Sequence, residues 1–577
     1  MTATTPTPHR HGGHLAVDVL RRHGIAAMYT LSGGHIFPLY DAAVQADPPL
    51  PIVDVRHEQS AVFAAEAEAK LRRTCGVAVL TAGPGVTNGV SGVATAHFNG
   101  SPVVVLGGRA PQFRWGAGSL QELDHPPMLA PVTKSAGSVT ALGQIGPEVE
   151  RAVHLATTAH RGPVFLDLAL DAVFGQVPPD APATEAAEAA GATEAAWAAW
   201  AAWAVPAGGR EPGPDDLAAI GKLLSAARRP VLVLGTDVWA DRAEEAARRF
   251  AEELAVPVVA NGMGRGVVPA GHPLSASRVR PAALGEADLV LVAGAPLDFR
   301  LSFGTFGGKR GRPSARVVHL ADSAQSLAAH VDLAAAAAGD LTLVLDGIAE
   351  QTRRRGAPDT AAWLDQLRGL DEQAVRMLDA ERATPGEPVH PARVYGALAD
   401  VLDDDAVVVC DGGDFVSFAG RLVDSQRPGC WLDPGPFGCL GTGLGYAIAA
   451  RRNRPDAQVV VLLGDGAAGF SLMDVDTLVR HRLPVVLVVG NNGIWGLEKH
   501  PMHALYGYDV AADLQAGCRY DAVVGALGGA GEYVERAEEV RPALARAFDV
   551  ARDISGPVCV NVALDPSVAY PRSSVLA

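Results

Sequence analysis

Apolar residues recur along this chain in short, nearly unbroken runs, each closed by glycine and followed by an alanine-rich stretch with helical spacing. Val77-Ala78-Val79-Leu80 runs into Thr81-Ala82-Gly83-Pro84-Gly85, and Val103-Val104-Val105-Leu106 runs into Gly107-Gly108. Strands apolar on both faces, alternating with helices, predict parallel α/β sheets covered on both sides. The pattern falls into three blocks. Residues 14–177 form the first. Residues 178–214 are dominated by Ala, Glu and Pro, with Trp197, Trp200 and Trp203 spaced by three, and read as a linker with a short helix packed through its Trp stripe. Residues 215–355 form a second block, with strands expected at Pro230–Leu234, Pro257–Ala260 and Asp288–Ala293 and a helix at Ala243–Leu254. Residues 385–565 form the third. No short solenoid repeat is present; what recurs is the α/β unit on the scale of a domain. The expected fold is three doubly wound parallel-sheet domains.

Size and charge narrow the function. At 577 residues the chain is too long for one core. A net charge of −16 argues against nucleic acid or an anionic membrane as partner, since both favour a basic face. Six scattered cysteines, Cys75, Cys410, Cys430, Cys439, Cys518 and Cys559, form no C-x-x-C pair and suggest neither a zinc site nor a disulfide framework. The first residues lack the apolar core of a signal peptide, and no apolar run is long enough to span a membrane. The expected location is the cytoplasm.

The most specific chemistry lies in the third block. Gln458–Leu463 reads as a buried strand carrying Gly464-Asp465-Gly466 at its carboxyl end, and Pro484–Val489 as the next strand, ending in Asn491-Asn492-Gly493. A helix is expected over Phe470–Arg480 with Ser471 as its cap. In a βαβ unit the two strand ends share one edge of the sheet, so Asp465 and Asn492 should converge. A carboxylate, an amide oxygen and a backbone carbonyl suit Mg²⁺, which completes its shell with phosphate and water. Glycine lets the backbone approach phosphates, and a helix start adds N–H donors.

This segment resembles the signature of thiamine-diphosphate enzymes of the acetohydroxyacid synthase and pyruvate decarboxylase superfamily. The resemblance implies Asp465, Asn492 and the carbonyl of Ile494 as Mg²⁺ ligands, with the amides of Ala467 and Ala468 on the diphosphate beside Gly464 and Gly466. Gly412 and Gly413, in Asp411-Gly412-Gly413-Asp414, match the second diphosphate loop less closely. Leu440 falls where such enzymes keep the aliphatic side chain that bends the cofactor; on its own pattern it reads equally as a core leucine.

In the first block, Arg56-His57-Glu58 starts a helix. A glutamate there is ordinarily a favourable dipole interaction. Together with Thr81–Asn88, however, the segment resembles the superfamily's pyrimidine-binding domain. That likeness makes Glu58 the group that hydrogen-bonds the cofactor's aminopyrimidine and activates it for proton removal from the thiazolium. It also implies the domain order pyrimidine-binding, central, diphosphate-binding, and a homodimer or homotetramer.

The reaction depends on what surrounds the cofactor. His35, in Leu31-Ser32-Gly33-Gly34-His35, can exchange protons near neutral pH. Gln121 is a neutral hydrogen-bonding group, and Trp495 and Leu497 follow the metal loop. Each also has an ordinary packing or structural reading. Gly118-Ser119-Leu120-Gln121-Glu122 and Pro131-Val132-Thr133-Lys134 resemble acetohydroxyacid synthase sequence. The pair His35 and Gln121 is similar to that of benzaldehyde lyase, and Asp298-Phe299-Arg300 to 2-hydroxyacyl-CoA lyases. The likeness covers nearly the whole chain and is greatest to acetolactate synthase-like proteins of actinobacteria.

Oxalyl-CoA decarboxylase is disfavoured, because Leu120-Gln121 stand where it carries Tyr-Glu. After Asn492, though, Gly493–His500 departs from the acidic, Gln-Gly-containing stretch of acetohydroxyacid synthases. The central block has no G-x-G-x-x-G fingerprint after its first strand; FAD, or an ADP or coenzyme A moiety, is its candidate ligand. The expected activity is carboligation, in which pyruvate is decarboxylated and its two-carbon unit joined to a second 2-keto acid. The alternatives are cleavage of a 2-hydroxyacyl-CoA or acyloin, and a catalytically idle homologue, against which Glu58, Asp465 and Asn492 argue.

Overall fold

The structure, a computed structural model, describes residues 10–177, 210–311 and 313–571. The stretch containing Trp197, Trp200 and Trp203 lies outside them. Among the described residues seventeen strands build three sheets, and every pairing between these strands is parallel.

The first sheet comprises β1 (Met28–Thr30), β2 (Ile52–Asp54), β3 (Gly76–Leu80), β4 (Val103–Arg109), β5 (Ser135–Val139) and β6 (Val164–Ala169), in the order β2-β1-β3-β4-β6-β5. The second comprises β7 (Pro230–Leu234), β8 (Val258–Ala260), β9 (Leu289–Ala293), β10 (Arg316–Ala321) and β11 (Ala335–Ala338), in the order β11-β10-β9-β7-β8. The third comprises β12 (Val407–Asp411), β13 (Trp431–Leu432), β14 (Val459–Gly464), β15 (Val486–Asn491), β16 (Ala530–Val534) and β17 (Val558–Ala563), in the order β13-β12-β14-β15-β17-β16. The chain divides into two compact units, Met1–Pro206 with the first sheet and Ala207–Ala577 with the other two.

The apolar runs form strands because both faces are covered. In β7, Val231 and Val233 join the core on one side of the sheet, while Leu232 and Leu234 join the core on the other. All three sheets place their first strand between their second and third, so chain direction across the sheet reverses beside that strand. Loops leaving the strands there open a crevice, where ligands bind in open parallel sheets. In the first sheet these loops follow β1 and β3; in the third they follow β12 and β14. No helix among the described residues is long and apolar enough to cross a membrane.

Candidate functional site

In the first unit, three of the expected residues gather around one loop. β3 ends at Leu80, and Thr81-Ala82-Gly83 leads into the helix Pro84–Phe98. Glu58 begins the helix Glu58–Arg72, capped by His57, whose Nδ1 accepts the Gln59 amide at 3.2 Å. The Glu58 side chain is buried, and its Oε2 accepts a hydrogen bond from Asn88 Nδ2 at 3.0 Å. Its other oxygen faces Gly85, where an added Cβ would stand 3.7 Å away.

His35 lies in the short turn Gly34–Ile36 that follows β1, with Nδ1 3.3 Å from Thr81 Oγ1. It is packed so tightly on Gly108 that a Cβ there would approach the His35 Cβ to 2.5 Å. Burial lowers the pKa of His35, against the pull of the Leu120 carbonyl, and so favours the neutral ring. Gln121 sits on Gly83, where an added Cβ would meet the Gln121 Cβ at 2.9 Å. Its backbone has a φ of +61°, an uncommon conformation for a residue other than glycine that concentrates at functional sites.

In the second unit, the ends of β14 and β15 lie side by side, with Gly464 paired to Gly490. Asp465 and Asn492 converge as the βαβ arrangement requires. Asp465 Oδ2 accepts the Gly493 amide at 2.7 Å and Oδ1 accepts the Gly466 amide at 3.0 Å. Asn492 Oδ1 accepts the Ile494 amide at 3.2 Å. Burial pushes the Asp465 carboxyl up to about 6, against the pull of these backbone donors. A buried carboxylate with lone pairs to spare, next to an amide oxygen, is a donor set that fits a hard divalent cation.

One expectation is corrected. The helix after β14 spans Asp465–Ser471 and so begins at the aspartate itself, not near Phe470; a second helix covers Val475–Arg480 after a tight turn. Ser471 is the last residue of the first helix and makes no capping bond. An early start leaves the amides at the head of the helix, that of Ala467 among them, without a place in the helical ladder beside Asp465, while the ladder itself begins with Ala468; free amides at a helix start are the arrangement that receives phosphate.

Leu440 faces the second loop. A Cβ on Gly412 would lie 1.9 Å from Leu440 Cδ2, and Gly412 has φ +59° and ψ 164°, a conformation reserved for glycine. Asp411, fully buried at the end of β12, fixes that approach: its two oxygens accept the amides of Gly441 at 2.9 Å and Gly443 at 2.8 Å. Burial pushes its carboxyl up to about 7. Trp495 packs over Gly466, where a Cβ would meet the indole ring at 2.5 Å, and its amide donates to the Ala512 carbonyl at 2.8 Å. Leu497 follows in the helix Gly496–Tyr506 and is partly buried. Asn88 and Asp411 were missed as site residues. A carboxylate closing the apolar run Val407–Cys410 is the signal that marks Asp411.

Backbone donors beside a buried carboxylate lie in one unit, and a buried glutamate at a helix start lies in the other. Family models for the thiamine pyrophosphate enzyme match all three regions: the N-terminal TPP binding domain at residues 10–128, the central domain at 217–348 and the C-terminal TPP binding domain at 411–562. The chain belongs to this family, and is a thiamine-diphosphate enzyme that makes or breaks carbon–carbon bonds. It is 49% identical, over the full length of both chains, to a probable acetolactate synthase of Mycobacterium bovis and to the acetolactate synthase large subunit IlvG of Mycobacterium tuberculosis. It is 34% identical to the human 2-hydroxyacyl-CoA lyase 2, over 96% of this chain and 90% of that one.

Proposed function

We propose that the chain is a carboligase of the acetolactate synthase type, which decarboxylates pyruvate and transfers the two-carbon unit to a second 2-keto acid. The observation that carries this reading is the 49% identity, over the full length of both chains, to the mycobacterial acetolactate synthases. Thiamine diphosphate, when bound, supplies a carbon nucleophile and the electron sink for decarboxylation. The residues of the chain do the rest. Asp465, Asn492 and the Ile494 carbonyl hold Mg²⁺, while Ala467 and Ala468 present amides to the diphosphate. Gly412, Gly413, Gly464 and Gly466 let the backbone come close, and Leu440 packs against the cofactor. Glu58, its Oε2 fixed by Asn88, would hold a proton on its carboxyl for the ring of the bound cofactor.

His35 and Gln121 orient the substrate and hold its proton, the neutral imidazole serving as acceptor or donor through one nitrogen. Trp495 and Leu497 wall the pocket. The active form is a homodimer or homotetramer in this reading, which sedimentation of the holoenzyme tests directly.

A second reading, cleavage of a 2-hydroxyacyl-CoA, has a specific observation in its favour. A cavity of about 240 Å³ in the second unit is lined by Arg265, Arg278, Arg280 and Arg421. Arg278 and Arg421 are paired with carboxylates, whereas Arg265 and Arg280 donate to the carbonyls of Gly420 and Arg300. Burial, with Arg265 and Arg300 nearby, pushes the Arg280 guanidinium down to about 10, so an anion such as a coenzyme A phosphate would relieve the site. Supplying the Mg²⁺-loaded holoenzyme with pyruvate alone, and separately with a 2-hydroxyacyl-CoA, decides between the two. Acetolactate from the first supports the carboligase. An aldehyde and an acyl-CoA fragment from the second, with no acetolactate, replaces it with the lyase.

A further inference from the structure

Behind the loop Thr81–Gly85 runs a buried polar chain that the reading above does not use. His125 and Asp167 are 0% exposed, and Arg109 6%. The Gly83 amide donates to His125 Nε2 at 3.0 Å. The other ring nitrogen, Nδ1, lies 2.9 Å from Asp167 Oδ2, and Arg109 Nη1 donates to that same oxygen at 3.2 Å. The Arg109 guanidinium also stacks on Trp115 at 3.5 Å.

These contacts settle where the ring proton is. An N–H directed at Nε2 needs a lone pair there, so the proton sits on Nδ1 and is donated to Asp167. Arg109 balances the carboxylate, which keeps a negative charge tolerable where no water reaches. The two partners impose this tautomer.

The loop depends on that choice. Gly83 is the residue before the helix Pro84–Phe98, with φ +58° and ψ −114°, and its amide has no place in the helical ladder. His125 is therefore what fixes its direction from beneath. Gln121 rests against Gly83 with a positive φ of its own, +61°, which its surroundings must sustain. His35 is held by Thr81 of the same loop.

We propose that His125, locked by Asp167 as the Nδ1–H tautomer, is a positioning residue that holds the Gly83 turn, and through it Gln121 and His35, in the working geometry. The inference rests on the proposed function only in assigning Gln121 and His35 to the reaction. Its first test needs no substrate. In full-length protein labelled with ¹⁵N-histidine, the His125 signals, identified by their loss in His125→Gln, should show the Nδ1-protonated pattern at pH 7.5. An Nε2-protonated or doubly protonated ring overturns the proposal.

Variants then test the consequence. His125→Gln can still accept from Gly83 and donate to Asp167, whereas His125→Leu fills similar space and does neither. Amide exchange in the peptide spanning Gly83 should accelerate at least tenfold in His125→Leu and stay near wild type in His125→Gln. On whichever substrate the wild type turns over, kcat should fall at least tenfold in the Leu variant, with KM and thiamine diphosphate affinity within twofold, and return most of the way in the Gln variant. Equal loss in both variants, or unchanged exchange and kcat in the Leu variant, overturns it. A wild type that turns over neither substrate class refutes the proposed function, and the tautomer and exchange readouts still judge this inference.

Discussion

Gly412→Ala perturbs the point where the diphosphate loop meets Leu440. Two costs add. The φ of +59° with ψ of 164° is open to glycine and strained for alanine, by about 1–3 kcal/mol. The new methyl would also stand 1.9 Å from Leu440 Cδ2, well inside contact distance. Relieving such an overlap typically costs a further 1–3 kcal/mol, roughly, through off-rotamer side chains. The loop must therefore move by an amount worth about 2–6 kcal/mol, and any cofactor affinity that depends on its present shape falls with it.

Titration calorimetry with thiamine diphosphate at saturating Mg²⁺ should show an affinity loss of at least tenfold, the equivalent of about 1.4 kcal/mol. Adding Leu440→Ala removes the overlap but not the backbone strain, so the double variant should recover about 1–3 kcal/mol of the loss, read as a coupling energy. Binding within twofold of wild type by Gly412→Ala would show that cofactor affinity does not depend on this loop's shape, and strict additivity of the two changes would show that Gly412 and Leu440 are not in contact.

Asp411 gives a pH dependence. Its carboxyl is pushed up to about 7 in the fold from an ordinary 3.8, so the folded protein binds the proton more tightly than the unfolded chain. The stability from this group is present in full below about pH 4 and is lost as pH rises to about 7, roughly 4 kcal/mol in all. Asp411→Asn lacks that dependence; the melting temperature of the apo variant relative to wild type should rise between pH 5 and pH 8, and a gap that stays constant or widens in favour of the wild type contradicts the assignment. Gly466→Ala would by helix propensity stabilise, by about 1 kcal/mol, but its methyl meets the Trp495 ring at 2.5 Å. Net destabilisation that disappears in the Trp495→Ala background is expected from thermal melts; additive effects would show that the two residues do not touch.

Strand ends were legible because parallel strands covered on both faces read as apolar runs, and Val459–Gly464 and Val486–Asn491 needed no more than that. The meeting of Asp465 with Asn492 followed from the βαβ connection alone. The helix start was misread because Asp465-Gly466-Ala467-Ala468-Gly469 carries two glycines and looks like a turn, while its helical state is set by the sheet end that launches it. Asp411 bonding Gly441 and Gly443, or His125 reaching Gly83, joins positions tens of residues apart, and no local pattern announces such pairs. The positive φ of Gln121 was equally invisible, since nothing in its neighbours calls for it. The Glu58 assignment came from resemblance; what the structure adds is its burial and its bond to Asn88.

Acetolactate formation from pyruvate by wild type and Glu58→Gln, side by side with saturating thiamine diphosphate and Mg²⁺, is the decisive measurement for Glu58-dependent carboligation. Product is expected with the wild type, and a loss of about 10²–10⁴-fold with the variant, the usual contribution of a positioned acid–base group. Wild-type protein that makes no acetolactate would rule out the carboligase, and a Glu58→Gln variant that matches the wild type would remove Glu58 from the chemistry.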